Sequence, residues 1–161
     1  MAHAQGTTKI EGFAGVPLEN ITFSNMQLFM DPESQPDKRA TDAFFAHDVN
    51  DLSLTNVKVK WNTEKTEPLW KNAFSFENID GLYLDQLKGN PAPTKKGSLI
   101  ALTNVKNARI DRCFSFDPNA LLLQVNGSQS QKIIMTGVSE DHLENRIQKG
   151  KEVTPGSVLV N

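Results

Sequence analysis

Apolar residues recur at fixed offsets in three successive segments of this chain. Counted from Phe44 they fall at offsets 0, 2, 5, 8, 10 and 13, and the same offsets counted from Phe74 and from Ile100 are again apolar. Shorter matches flank this region at residues 18–26 and 133–138. A period of this size is typical of a solenoid, in which each repeat buries its apolar side against its neighbours. The equivalent positions, spaced by 31, 30, 26 and 25 residues, are Ile21, Leu52, Leu82, Ala108 and Ile133.

Within each repeat, apolar residues alternate with polar ones over short runs, as in Phe44-x-Ala46 and Leu52-x-Leu54. Such alternation places apolar side chains on one face of a strand, and no repeat holds the longer stripe that a helical repeat needs. We therefore predict an all-β fold, a right-handed single-stranded parallel β-helix of about five coils with three short strands in each. An antiparallel sandwich also has short alternating strands, but it gives no reason for one register to persist through three repeats.

A polar or small residue separates the second and third strands of each repeat. Asn and Gly tolerate the left-handed backbone of a tight bend, and stacked amides can hydrogen-bond along the solenoid axis. Arg112 is the member that fits this role poorly. The residues at this position are Asn25, Asn56, Gln86, Arg112 and Gly137.

The pattern divides a single β-helix domain, residues 1–161, into three parts. Residues 1–12 form a polar N-terminal segment, residues 13–138 form the coils, and residues 139–161 form a C-terminal cap. Loops rich in charge or proline follow the third strand of successive coils, so we expect them to project from one edge of the solenoid. These loops are residues 31–42, 62–72 and 89–97.

The C-terminal cap is predicted to hold one short helix and a capping strand. Leu143 and Ile147 lie four residues apart within residues 140–149, with Ser139 as a candidate N-cap and Gly150 as a candidate C-cap. Residues 157–160 then have a strand pattern. These elements would cover the open C-terminal end of the solenoid.

Nothing comparable to this cap precedes the first coil. Ile21, Phe23 and Met26 would lie near an exposed strand edge there. An unpaired edge over an apolar core tends to recruit another strand or another copy. We therefore expect self-association through the N-terminal β-helix edge, unless residues 1–12 fold across it as a lid.

Composition excludes several classes of function. The chain of 161 residues carries a net charge of −2, with lysine and arginine scattered among acids, so no basic patch predicts nucleic-acid binding. No apolar run is long enough for a signal peptide or a membrane span. No cofactor motif is present, and the single Cys113 occupies an inward position, where it is predicted to be a small buried hydrophobe.

Candidate chemical residues are few. The histidines lack metal-ligand spacing, and His47 is interpreted as an exposed turn residue. One loop gathers four acids that could bind a cation, but it lacks the alternation and glycine of a calcium loop, so we interpret it as a charged, solvated loop. The three histidines are His3, His47 and His142, and the four acids are Asp31, Glu33, Asp37 and Asp42.

Trp61 and Trp70 flank the second loop. Aromatic rings at a loop edge could stack on sugar faces, which makes both residues candidate contacts for a glycan or a partner. The alternative, which we favour, is that the two rings pin the loop to the flank of the solenoid.

The run GVPLENITFSNMQL at residues 15–28 resembles a coil of glycoside hydrolase family 28, the polygalacturonase and rhamnogalacturonase family. The runs FFAHDVNDLSLTNVKVKW and AFSFENIDGLYLDQLKG resemble the next two coils, and the resemblance covers roughly residues 9–161. It implies a pectin lyase-like fold, an extracellular or periplasmic location and contact with plant cell-wall polysaccharide. Pectate lyases and other β-helix proteins also resemble such repeated sequence.

The four catalytic motifs of that family, Asn-Thr-Asp, Asp-Asp, Gly-His-Gly and Arg-Ile-Lys, do not occur in this sequence. The nearest matches are Asn62-Thr63-Glu64 and Arg109-Ile110-Asp111, and neither supplies the paired carboxylates that glycoside hydrolysis needs. No catalytic residue is therefore carried over. We predict a non-catalytic C-terminal β-helix portion of a pectin-directed hydrolase-like protein. The alternative is a stand-alone β-helix that binds a glycan or another subunit.

Overall fold

A computed structural model describes residues 2–13, 15–94, 97–138 and 143–161. Over these residues the chain forms thirteen strands and one 3-10 turn, Leu143–Arg146, and every pairing between named strands is parallel. The strands are β1 Ala2–Ala4, β2 Thr8–Glu11, β3 Leu18–Met30, β4 Phe44–Trp61, β5 Phe74–Asp85, β6 Lys88–Gly89, β7 Ile100–Thr103, β8 Lys106–Asp111, β9 Phe114–Ser115, β10 Leu123–Asn126, β11 Gln131–Thr136, β12 Ile147–Lys149 and β13 Val158–Val160.

The strands stack into three ladders that run along one axis. Ladder 1 joins β2, the start of β4, the start of β5, β7, β10 and β12. Ladder 2 joins β3, the middle of β4, the rest of β5, β8, β11 and β13. Ladder 3 joins β1, the end of β3, the end of β4, β6 and β9. The chain is a right-handed parallel β-helix of about six turns, which confirms the predicted fold and adds one turn.

The register is the one that the offsets predict. Ile21 pairs with Leu52, Leu52 with Leu82, Leu82 with Ala108, and Ala108 with Ile133. Side chains at these positions point into the solenoid, since alternate residues of a strand face opposite sides.

The core is a continuous apolar column inside the coils. The first strands of coils 2 and 3 contribute three rings to it, and Phe44 lies 6.5 Å from Phe74 and 6.1 Å from Phe76 between ring centroids. All three rings are buried. Because each coil contributes one layer, removing a layer exposes the faces of two others.

The strands turn at single residues in the left-handed conformation, which short polar side chains and glycine adopt most readily. The predicted column between the second and third strands is confirmed, with φ of 56, 53, 56, 52 and 68°. Arg112 belongs to it, and its guanidinium donates two hydrogen bonds to Asp85 of the preceding coil, at 2.9 and 2.6 Å. Two further columns of left-handed residues were not predicted. One consists of Asp48, Asn78, Asn104 and Gly127. The other consists of Asn20, Asp51, Gly81, Asn107 and Lys132.

The predicted C-terminal helix is wrong for the part of residues 140–149 that the structure describes. Residues 143–146 form only a 3-10 turn and Ile147–Lys149 is β12, while Ser139 and residues 140–142 lie outside the described residues. Ile147 pairs with Leu123 in ladder 1, so strand pairing with the coil beneath outweighs the weak helical spacing. The predicted final strand is present as β13 and continues ladder 2, so ladder strands extend beyond residue 138 to residue 160.

The three predicted loops leave the solenoid after the third strand of coils 1, 2 and 3. Each runs from ladder 3 back to ladder 1, so the loops emerge along one edge, as predicted. A further excursion, residues 116–122, follows β9 at the same edge. We call this side of the molecule the loop edge.

Candidate ligand-binding cleft

Trp61 and Trp70 lie together at the loop edge, with ring centroids 5.1 Å apart at an angle of 47°. Trp61 is 7% exposed, and its indole N–H donates to the Asn90 carbonyl oxygen at 2.9 Å. Trp70 is completely buried, so its ring is not accessible to a ligand in this conformation. The pair joins the second and third loops to the solenoid, and of the two residues only Trp61 lines open space.

That open space is a cleft of about 850 Å³ along the loop edge. It extends from coil 1, at Phe29, to coil 6, at Gln148. Since neighbouring strands lie ~4.8 Å apart, five steps give the cleft a length of roughly 24 Å. A cleft of this length has room for a linear chain of several rings. Its principal side chains are Phe29, Lys60, Trp61, Asn90, Phe116 and Gln124.

Beside the cleft, the outer face of ladder 3 alternates lysines and aromatic rings. Lys58 pairs in register with Lys88, and Lys88 with Phe114. The Lys58 ammonium lies 5.0 Å from the centroid of Phe116, and the Lys88 ammonium 5.9 Å from that of Phe114. With Lys60, which pairs with Phe29, these residues make the basic-aromatic face: Lys58, Lys60, Lys88, Phe114 and Phe116.

The rings of this face are open to solvent, since Phe114 is 37% and Phe116 is 48% exposed. They meet edge to face, with centroids 5.4 Å apart at 82°. Lysine ammonium groups bind carboxylates as point charges, and exposed ring faces pack against apolar surface. The face therefore offers charge and flat apolar surface together.

Asn90 holds the wall of the cleft in place. Its side-chain oxygen accepts hydrogen bonds from the Ser115 hydroxyl at 3.0 Å and from the Asp117 backbone N–H at 2.9 Å. The Asp117 carboxylate in turn accepts the backbone N–H of Asn119 at 2.9 Å. Loops of coils 3 and 4 are thus tied to each other, so the wall is formed before any ligand arrives.

The acidic loop uses its carboxylates within the protein. Asp31 Oδ2 lies 2.8 Å from His3 Nδ1, and Asn62 donates to Asp31 Oδ1 at 3.1 Å. The hydrogen bond with His3, followed by that from Asn62, lowers the pKa of Asp31 below its usual value. His3, for which no role was predicted, thereby ties β1 to the first loop.

The other three acids of that loop are also engaged. Glu33 accepts the backbone N–H groups of Arg39 and Ala40 at 2.7 and 2.9 Å, and Asp37 pairs with Arg39. Asp42 is buried within a hydrogen-bonded network. The prediction of a solvated loop is therefore wrong at this residue. Among the described residues, no group of three His, Cys, Asp or Glu side chains could hold a metal ion.

Two carboxylates, Asp85 and Asp111, meet in register on ladder 2, and both are buried. Asp85 is held by Arg112, and that hydrogen bond raises the pKa of the Arg112 guanidinium. Asp111 accepts Arg109 Nε at 2.7 Å and the Thr136 hydroxyl. Both carboxylates are neutralised by arginine and buried away from the cleft, which suits a structural role and not the paired acid and base of hydrolysis.

A row of ionisable residues on the outer face of ladder 1 was not predicted. Glu11 pairs in register with His47 and His47 with Glu77, and His47 Nδ1 lies 3.3 Å from Asp48 Oδ2. The His47 ring stacks on Phe45 at 6.2 Å, and Asn78 Nδ2 lies 3.2 Å from His47 Nε2. His47 is therefore a half-buried strand residue and not an exposed turn residue. The signal was present, because all three lie three positions after the start of their repeat.

Two other candidates can be placed briefly. Cys113 points into the core and is 1% exposed, and burial raises the pKa of its thiol to about 12, as expected of an inert buried cysteine. His142 lies outside the described residues.

Comparison with protein-family models, with curated proteins and with solved structures found no match for this chain. No helix within the described residues is long and apolar enough to cross a membrane. The fold, the cleft and the basic-aromatic face are therefore the observations from which a function can be argued.

Proposed function

We propose that this chain is a non-catalytic β-helix portion of a pectin-directed, glycoside hydrolase family 28-like protein, and that it holds an acidic polysaccharide without cleaving it. The observation that carries this proposal is the basic-aromatic face beside the cleft. In a chain of net charge −2, three lysines come together there on adjacent strands.

The chemistry of the face matches a polymer of uronic acid rings. Lys60 lines the cleft, and Lys58 and Lys88 repeat beside it at the strand spacing of ~4.8 Å, so an acidic chain in the cleft would lie next to a group of cations. Phe116 and the edge of Trp61 offer apolar surface to ring faces. Gln124, Gln148 and Asn119 line the cleft with amides that can hydrogen-bond hydroxyl groups.

The non-catalytic part of the proposal rests on the carboxylates. The acids of the first loop and the pair on ladder 2 are engaged in internal hydrogen bonds and ion pairs. The resemblance of residues 15–28 to glycoside hydrolase family 28 indicates a pectin-like polysaccharide, and it implies an extracellular or periplasmic location.

Binding to polygalacturonate, measured by isothermal titration calorimetry at low and high salt, tests this proposal. We expect binding that weakens with salt, and a loss of at least about tenfold in affinity when Lys58, Lys60 and Lys88 are all replaced by Gln. The matched control replaces three exposed lysines elsewhere by Gln in the same way, and it should bind as the parent does. These lysines are Lys9, Lys132 and Lys151. Absence of binding, or an equal loss in the control, would overturn the assignment of the face.

Release of reducing ends from polygalacturonate tests the non-catalytic part separately. We expect none above background. Release would show that a catalytic pair exists, and Glu11 and Glu77 would then be the first residues to replace, because they flank His47 on ladder 1.

The second candidate is a stand-alone β-helix that acts by assembly. One specific observation favours it: among the described residues of coil 1, Phe13 and Val16 are exposed and Ile21, Phe23 and Met26 are only half-buried.

A further inference from the structure

The cleft at the loop edge differs in chemistry along the solenoid axis. Over coils 2 and 3 it is bordered by Lys58, Lys60 and Lys88 of the basic-aromatic face, and Lys60 lines the cleft itself. We call this the basic part of the cleft. Over coils 4 to 6, Asp117 is the only ionisable side chain among the described residues that line the cleft. The cations are therefore gathered toward one part of the cleft.

The remainder of the lining is mainly apolar. Ala120 and Leu121 are half-buried in the wall that follows coil 4, and the Phe116 ring beside them is 48% exposed. The third loop adds two prolines and an alanine, and Asn90 ties this loop to Ser115 of coil 4 at 3.0 Å. The apolar part of the cleft consists of Pro91, Ala92, Pro93, Phe116, Ala120 and Leu121.

Asp117 makes the apolar part unfavourable for a ligand carboxylate. Its exposed side chain accepts the backbone N–H of Asn119, so a negative charge remains at the surface of the cleft. Arg146 is buried and does not line the cleft; its guanidinium donates to the backbone oxygens of Ala120 and Asp117 at 2.8 and 3.3 Å. A carboxylate over this part would meet a like charge and would lose water against apolar surface.

A polymer of uronic acid rings presents two kinds of ring when part of its carboxyl groups are esterified. A free carboxylate binds a lysine ammonium as a charge partner. A methyl ester carries no charge, and its methyl group is more stable when it is removed from water. We propose that the cleft binds a partly methyl-esterified acidic polysaccharide, with free carboxylates at the basic part and esterified rings at the apolar part. This inference rests on the proposed function and names the form of polymer that the same site selects.

One polymer chain can occupy both parts at once. The two parts meet at Phe116, whose ring centroid lies 5.0 Å from the Lys58 ammonium. The cleft is roughly 24 Å long, which is enough for several linked rings. The hydrogen bonds of Asn90 hold the two parts in a fixed relation, so neither has to form when the polymer arrives.

The two extreme forms of the polymer match the cleft less well. A chain without esters satisfies the lysines but places carboxylates beside Asp117 and the apolar wall. A chain with nearly every carboxyl group esterified suits the wall but brings no charge to the lysines. Affinity is therefore expected to be highest at an intermediate degree of esterification.

Isothermal titration calorimetry with three polymers of one chain length tests this proposal. They carry methyl esters on none, about half and nearly all of their carboxyl groups. Each methyl group that leaves water raises affinity about fourfold, so two of them should make the half-esterified chain bind at least about tenfold tighter than the unesterified one. The nearly fully esterified chain should bind more weakly than the half-esterified chain, and its binding should depend little on salt.

The variant Asp117→Asn tests the part that discriminates against carboxylates. Asparagine keeps an oxygen for the Asn119 N–H and removes the charge, so the unesterified chain should bind about threefold tighter while the half-esterified chain is almost unaffected. The matched control is Asp51→Asn, an equal charge change at an exposed left-handed corner, where asparagine is well tolerated and which does not line the cleft. It should leave all three affinities unchanged.

Saturation-transfer NMR gives a second measurement that does not depend on comparing affinities. The ligand is a half-esterified oligomer of several rings, and its ester methyl protons give a separate signal. These protons should receive more saturation from the protein than the ring protons do, because they are the groups placed against the apolar part. Stronger saturation of the ring protons would contradict the arrangement.

The outcomes separate this inference from the proposed function. If the unesterified chain binds as tightly as the half-esterified chain or more tightly, the inference is overturned and an acidic-polysaccharide site remains. If the nearly fully esterified chain binds tightest, the role of the basic part is wrong. If none of the three polymers binds, the proposed function is overturned and this inference with it.

Discussion

β3 and β4 carry the same pattern of apolar positions but bury it to different extents. Ile21, Phe23 and Met26 of β3 are half-buried, although each pairs in register with a residue of β4 that is at most 1% exposed. The difference is not in the sequence of the coil. It arises because, among the described residues, coil 2 packs against a coil on each side, whereas most of coil 1 packs against coil 2 alone.

In a solenoid, the burial of an inward side chain depends on the coils that pack on either side of it. A coil contributes one apolar layer, and the layer becomes core only when the next coil closes it. Substitutions in the middle and at the N-terminal end should therefore differ in cost even where the residue type is the same.

The largest effect is expected in the middle of the core. Phe74→Ala removes a completely buried ring and should lower the free energy of unfolding by about 3–5 kcal/mol. Phe23→Ala, at a half-buried inward position of coil 1, should cost less than half as much. Urea unfolding followed by circular dichroism, at a concentration where the chain is monomeric, measures both. Equal losses would contradict the difference between the two regions.

The next effect concerns a buried polar network in the middle coils. Asn72 donates to Asp42 Oδ1 at 2.8 Å, and its side-chain oxygen accepts the Ser98 N–H at 2.9 Å. Asn72→Ala leaves these groups unsatisfied and should cost about 2–3 kcal/mol. Urea unfolding measures the loss. Asn25→Gly replaces an exposed asparagine of coil 1 and serves as the comparison; its cost should be smaller, because water replaces its lost hydrogen bond and glycine adopts the φ of 56° at this position freely.

A smaller effect is expected at the corners. Asn56 has φ of 53°, a conformation that costs an ordinary residue about 1–2 kcal/mol. Asn56→Ala should destabilise the protein by about that amount, while Asn56→Gly should be close to neutral because glycine adopts this backbone freely. Thermal unfolding of the two variants distinguishes strain from loss of the hydrogen bond to Asn25. Equal destabilisation by both would assign the effect to the hydrogen bond.

The smallest effect on stability is expected at Asp31, in the first loop. The pKa of Asp31 is lowered in the folded state, chiefly by the hydrogen bond with His3. Its contribution to stability is therefore present above the unfolded-state pKa of about 3.9 and is lost as the pH falls through the lower folded-state value. An NMR titration of the carboxyl carbon should give a midpoint below about 3.9, and His3→Ala should raise it. An unchanged midpoint in that variant would remove His3 as the cause.

The sequence pattern predicted the register of the ladders because the register depends on which side chains face inward. It predicted one corner column, including Arg112, whose side chain replaces a stacked amide by an ion pair with Asp85. It did not predict the other two columns, since Asp48 and Asp51 lie within what looks like one continuous strand. The prediction of a C-terminal helix is wrong for another reason. Ile147 pairs with Leu123 of the preceding coil, and local sequence spacing does not reveal that pairing.

The candidate site was harder to predict than the fold. The sequence placed Trp61 and Trp70 beside one loop. It did not show that Trp70 is buried against Trp61, or that Trp61 donates a hydrogen bond to a different loop, at Asn90. The cleft takes its lining from six coils, and no single segment shows it. The basic-aromatic face follows from the register of short strands, β6 and β9, that carry little periodic signal.

The single-residue corners decide where this chain can change length. An inserted residue within β4 would turn every following side chain of that coil from inside to outside. An insertion among the exposed residues 34–37 or 63–66 leaves the ladders untouched, because those segments already leave the solenoid. Insertions and deletions are therefore tolerated on one side only, the side that holds the cleft. The fold can remain constant while the surface that meets a ligand diversifies.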